Sequence, residues 1–194
     1  MNLKASIPEI SEIIGSGGAG VIPTDTMYGM VASALDKKAV ERLYELRDRD
    51  RSKPFLLLIS SLDDILSFNP DMSSETRNIL ERIWPAPVSV ILPVPSAEFD
   101  YIACGTGTIA MRLPSDEDLR ELLFVTGPLV APSVNPAGEK PAETLDEAWE
   151  YFPDLDFFID RGTLPSNPST LISIENGKAV VQRQGAWQVP DFLK

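Results

Sequence analysis

The side chains able to do chemistry are gathered in short segments, several of them directly after stretches that read as β-strands. Pro23-Thr-Asp-Thr-Met-Tyr-Gly29 places two hydroxyls, a carboxylate and a phenol within five residues. Local backbone capping explains Thr-Asp-Thr equally well. Arg47-Asp-Arg-Asp-Arg-Ser-Lys53-Pro54 holds four of the chain's 17 Lys and Arg residues in seven positions. Guanidinium groups offer forked donors to phosphate or carboxylate oxygens, so the cluster reads as an anion site. The same residues read as a solvated charged turn in which Asp48 and Asp50 pair the arginines. Thr106-Gly-Thr108 leads to Arg112-Leu-Pro114. Strand alternation sets Thr108, Ala110 and Arg112 on one face, where a buried Arg112 needs an anionic partner. Ala131-Pro-Ser133-Val-Asn135 sets a hydroxyl and an amide two apart, and Ser169-Thr170 and Arg183 complete the set. These last three also fit ordinary caps and turns.

What is missing narrows the chemistry. The chain has no histidine, which excludes a Ser-His-Asp triad, a Cys-His pair, HExxH metal sites and an imidazole base. Cys104 is the only cysteine, so no internal disulfide forms, a reduced cytoplasmic setting fits, and the thiol has no His to activate it. The 194 residues carry 17 Lys plus Arg against 29 Asp plus Glu, a net charge of −12. That balance argues against a protein that coats nucleic acid, since phosphate binding runs on excess cations. No apolar run is long enough to span a membrane, and Glu9 and Glu12 interrupt any secretory h-region.

The elements that must position these groups follow from periodicity. Ser6 with Glu9 forms a capping box before Ile7, Ile10, Ile13 and Ile14 at helical spacing. Gly15-Ser-Gly-Gly-Ala-Gly20 spells GxGxxG, but a helix precedes it and a strand follows, the reverse of the dinucleotide fingerprint. It reads as a helix stop. Asp36 caps a helix with Ala39, Val40, Leu43 and Leu46 on its apolar face. Helices are also expected at Ser61, over Ser74–Ile83 and over Ser115–Phe124. Strands are expected at Val21–Pro23, Phe55–Ile59, Val88–Leu92, Thr108–Leu113, Leu129–Ala131, Phe157–Asp160 and Thr170–Ile174. Asn176-Gly177 then predicts a type I′ hairpin to Ala179–Arg183. The sum is one α/β domain over residues 1–194: an open twisted mixed sheet with helices, helical crossovers early and an antiparallel pair at the end.

Taken together, PTDTxYG, a cationic segment ending in Lys53-Pro54, WPxP (Trp84 to Pro87), GTxAxRxP, PSxN, PST and RxG closely resemble the YrdC-like threonylcarbamoyl-AMP synthase family. The likeness runs from about Gly20 to Gly185 and matches the short, single-domain form. It implies an open α/β sheet with a concave ligand face. It also implies a nucleotidyltransferase activity joining L-threonine, bicarbonate or CO2, and ATP into threonylcarbamoyl-AMP with release of pyrophosphate. That product feeds tRNA threonylcarbamoyladenosine modification by a downstream transferase complex. By resemblance, Thr26, Arg112, Ala131 (through its backbone) and Ser169 hold threonine. Arg49, Lys53, Thr108, Ser133, Asn135 and Arg183 meet the nucleotide, and Arg47, Arg49 and Lys53 form the catalytic set near the phosphates. Mg2+ would arrive with ATP. A site without histidine is no obstacle, because positioning and charge neutralisation dominate phosphoryl-type displacement. Asp25 is a candidate to take the proton that leaves the threonine amine.

The chain departs from the family pattern at several points. Arg47 stands where Lys is usual, Ala86 where Gly is usual, and Leu58 where longer members have a histidine. Ala137 replaces the second serine of SANxSG, and Pro141 replaces a serine that some members offer to ATP. Two other readings therefore stay open. One is a non-catalytic paralogue that grips nucleotide or RNA, with weak tRNA binding on its concave face. The other is carbamoyl transfer of the kind performed by YrdC-like modules inside larger enzymes.

Overall fold

A computed structural model describes residues 6–194. Helix α1 (Ile7–Gly15) starts at the Ser6–Glu9 capping box and leads into β1 (Ala19–Pro23) and β2 (Tyr28–Ser33). Asp36 caps α2 (Lys37–Leu46), its carboxylate accepting from the N–H groups of Lys38 and Ala39. Next come β3 (Leu56–Leu58), a 3₁₀ turn at Leu62–Phe68, α3 (Ser74–Ile83) and β4 (Val88–Pro93). A short α4 (Asp100–Ala103) precedes β5 (Thr108–Arg112), α5 (Glu117–Thr126) and β6 (Leu129–Val130). The chain closes through α6 (Leu145–Tyr151), β7 (Phe157–Phe158), β8 (Thr170–Glu175) and β9 (Lys178–Arg183).

The nine strands form one sheet in the order β7-β1-β2-β6-β3-β5-β4-β8-β9. It is mixed as expected: β1/β7, β3/β5 and β4/β8 run parallel and the other pairs antiparallel. The first pair corrects the expected connectivity. No helix crosses over between β1 and β2, which form an antiparallel ladder. The sequence hid β2 because five of its six residues are buried, so it lacks the alternation of a half-exposed strand. Helix α6 was hidden by its length of seven residues. At the far edge Asn176 and Gly177 have φ of 52° and 74°, the left-handed pair that a type I′ turn demands.

Strand alternation divides the interior in two. Val21, Met30 and Leu57 enter the larger core, while their neighbours Ile22, Val31 and Leu58 enter a second cluster with α1 and α5. Helices α1 and α5 thus cover this second face over β1, β2, β6 and β3. Register carries the same face onto Ala110 and Arg112 of β5, opposite Leu56 and Leu58, and then to Ser89 and Leu171. Those residues line a cavity instead of a helix.

Candidate functional site

The cavity has a volume of about 460 Å³. Its floor is the uncovered sheet face: Leu56, Ala110, Arg112, Ser89 and Leu171. Its walls are the segments that leave the strand ends. Thr24, Thr26 and Met27 come from the β1–β2 turn and Tyr28 and Gly29 from the start of β2, Ala131 to Ser133 follows β6, Pro168 and Ser169 precede β8, and Arg183 closes β9. Arg49 and Pro54 come from the segment after α2, and Pro141 and Ser166 from two longer loops. The fold therefore brings Thr26, Arg49, Arg112, Ala131, Ser133, Ser169 and Arg183 to one place from distant parts of the chain.

Arg112 is buried, 3% exposed, and its partners come from the β1–β2 turn. Nη2 lies 3.2 Å from Asp25 Oδ1, and Nη1 donates to Thr26 Oγ1 at 3.1 Å. The Asp25 contact is an ion pair without an aligned hydrogen bond, and Nε of Arg112 has no protein partner. Asp25 Oδ2 accepts from the backbone N–H and the hydroxyl of Ser115. The anionic partner that a buried Arg112 requires is thus Asp25, which does not line the cavity. Asp25, read from the sequence as a candidate proton acceptor, thus stands behind Arg112 and outside the lining. Burial pushes the Arg112 guanidinium below its ordinary pKa; Asp25 opposes this and Arg183 reinforces it.

Ser133 and Asn135 are held from behind by Arg47, 2% exposed. Arg47 Nε donates to the Asn135 carbonyl at 3.0 Å, and Nη2 donates to Asn135 Oδ1 and Ser133 Oγ at 3.1 and 3.3 Å. Ser133 in turn donates to Asn135 Oδ1 at 2.7 Å, and the Asn135 amide caps the carbonyls of Pro136 and Glu139. Arg47 and Asn135 lie outside the lining and set the shape of the loop that presents Ser133. Burial, and then the nearby Arg49 charge, push Arg47 down to about 10.

Arg49 lines the cavity with no carboxylate on its guanidinium. It donates to the carbonyl of Lys53 at 3.1 Å and sits 5.4 Å from the centre of the Phe55 ring. Phe55 stacks on Tyr44 at 3.9 Å, so the cation is mounted on an aromatic pair. The acidic residues between the cations do not pair with Arg47 or Arg49; Arg51 turns to Glu45 instead. Lys53 is exposed and Thr108 bonds to Thr106 at 3.0 Å; neither lines the cavity. Arg183 donates to the Ser169 carbonyl at 3.0 Å, and burial lowers its pKa. Two lining residues escaped sequence reading. Ser89 pairs with Ser169 through their hydroxyls at 2.8 Å. Ser166 has a buried hydroxyl without a partner. Both sit in stretches without a local motif, and only strand register or loop packing brings them here.

No aspartate or glutamate lines the cavity, and among the described residues no group of three or more His, Cys, Asp or Glu could hold a metal ion. The chemistry on offer is binding of anions by guanidinium and hydroxyl donors over a small, partly apolar floor. A family model described as "Telomere recombination", covering the Sua5, YciO and YrdC proteins, matches residues 12–185. The chain belongs to the Sua5/YciO/YrdC family. The threonylcarbamoyl-AMP synthase of Pyrococcus abyssi is 29% identical over 93% of this chain, which spans 54% of that relative. The structure of P. abyssi Sua5 complexed with L-threonine superposes with a TM-score of 0.84 at 28% identity, covering 92% of this chain and 54% of that one. A Sua5/YciO/YrdC protein of similar length, E. coli YciO, superposes at 0.83 with 26% identity, covering 96% and 92% of the two chains. The threonylcarbamoyl-AMP synthase of Stutzerimonas stutzeri is 25% identical over 90% of this chain and 95% of its own length. The chain thus spans about half of the Pyrococcus relative and nearly all of the two bacterial ones. Among the described residues no helix is long and apolar enough to cross a membrane.

Proposed function

We propose that this protein is an L-threonylcarbamoyladenylate synthase, which condenses L-threonine, bicarbonate or CO2, and ATP to threonylcarbamoyl-AMP and pyrophosphate. The observation that carries the reading is the meeting of Arg112 and Thr26 with Arg49, Ser133 and Arg183 around one cavity. The carbamate formed on the threonine nitrogen attacks the α-phosphorus of ATP through oxygen, and the P–O bond to pyrophosphate breaks. Arg112, Thr26, Ala131 and Ser169 hold the amino acid; Arg49, Ser133 and Arg183 neutralise the phosphates. Lys53 and Thr108, both outside the lining, meet the nucleotide, and Arg47 and Asn135 hold Ser133 in place. Reacting groups fixed side by side, with cations waiting for the charge, need no histidine. The carboxylate-free lining does not form a cage for Mg2+, which comes as the counter-ion of ATP. The product would pass to a transferase complex that modifies tRNA adenosine.

The test is pyrophosphate release from Mg-ATP and bicarbonate with and without L-threonine. Release that needs threonine supports the synthase. A second reading, a nucleotide-binding paralogue without turnover, is favoured by Lys53 lying outside the lining and by Pro141 within it. It predicts saturable ATP binding with no pyrophosphate released under any condition.

A further inference from the structure

Asp25 has the burial of a structural residue and the partners of a functional one. Its side chain is 5% exposed; Oδ1 lies 3.2 Å from Arg112 Nη2 as an ion pair without a hydrogen bond, and Oδ2 accepts from Ser115 N at 3.0 Å and from Ser115 Oγ at 3.2 Å. The Ser115 bonds tie the β1–β2 turn to the chain just beyond β5, so the carboxylate cannot swing away from the guanidinium. Thr26, the next residue, takes the other terminal nitrogen of Arg112 at 3.1 Å. Two consecutive side chains therefore meet both Nη atoms, Thr26 by a hydrogen bond and Asp25 by charge, while Nε stays buried and unpartnered. A guanidinium held at two corners, on a residue that lines the cavity, is prepared for an anionic group on a ligand. Without Asp25, the repulsion of Arg183 and the cost of burial would act on Arg112 unopposed.

We infer that Asp25 is a positioning residue for amino-acid recognition: it fixes the Arg112 guanidinium at the cavity lining, where it meets the α-carboxylate of the substrate. The inference rests on the reading that Arg112 receives the carboxylate of threonine. It gives Asp25 no contact with substrate and no proton to carry.

The test compares binding of L-threonine with L-threoninol, which lacks the carboxylate, by calorimetry. The wild-type protein should prefer threonine by about tenfold to a hundredfold, the range of a charge-assisted hydrogen bond. Asp25→Asn keeps the shape and removes the charge; its preference should fall to within about threefold, while ATP affinity stays within about twofold. Asp25→Glu should recover part of the preference. A purely structural role would lower affinity for both compounds alike. An Asp25→Asn protein with the wild-type preference overturns the inference. A wild-type protein that binds no threonine overturns the synthase reading instead. Should Asp25→Asn fail to fold, Ser115→Ala takes its place: threonine affinity should drop about threefold with threoninol binding unchanged. Unchanged affinity for both overturns the proposal.

Discussion

Arg112 and Arg47 are both buried guanidinium groups, yet only Arg112 has a carboxylate beside it. Arg47 lies among neutral acceptors, with no carboxylate to balance its charge. Substituting Arg47→Met relieves that burial but leaves the Asn135 carbonyl without its donor. The expected outcome is a loss of about 1–3 kcal/mol in urea unfolding, the cost of an unsatisfied buried polar group. Arg49→Ala should behave oppositely: ATP affinity falls by about tenfold to a hundredfold, while stability moves by less than about 1 kcal/mol. Calorimetry and urea titration on the two variants separate these roles. The sequence could name both arginines from their local density. It could not tell that one faces the cavity and the other the loop behind it, because residues two apart after a helix end take directions that tertiary packing decides.

Among the elements, the loop that carries Ser169 depends on a close approach by the chain after β9. A Cβ added at Gly185 would collide with the Pro168 carbonyl and come within 2.6 Å of the Ser169 backbone. Gly185→Ala should destabilise the protein by about 1–3 kcal/mol, as overpacking does, and weaken threonine binding because Ser169 must shift. Helix α5 supplies a pH test. Burial opposes ionisation of its cap Asp116, but the Arg161 bond and the Leu119 N–H outweigh it, so the pKa is held below the usual range. A carboxyl with a depressed folded pKa stabilises above its unfolded value, near pH 4, and loses that contribution as pH falls through the folded value. Urea stability should therefore fall as the solution is acidified below about pH 4, and Asp116→Asn should flatten that fall. Equal slopes in the two proteins would sink the assignment. Helices α1, α2, α3 and α5 were legible because caps and apolar spacing agree, and the final hairpin because Asn-Gly permits two positive φ angles. Strand β2 was not, since burial on both faces erases the pattern that marks a strand.

At the scale of the molecule, a chain of net charge −12 gathers Arg49, Arg112 and Arg183 around a cavity without a lining carboxylate. Local charge, not the total, sets what binds there, and the low-dielectric walls strengthen it. The mixed sheet and its concave face were legible from strand-like runs and from the ordered motifs. The cause of the cavity was not: α1 and α5 cover only part of one sheet face, which strand order alone reveals. The most direct measurement is pyrophosphate release in a coupled assay with Mg-ATP and bicarbonate, run with and without L-threonine and repeated with Arg112→Ala. Release should depend on threonine in the wild-type protein and be lost in the variant. Release of equal rate without threonine, or none at all from folded protein that binds both substrates, would refute the assignment as a synthase.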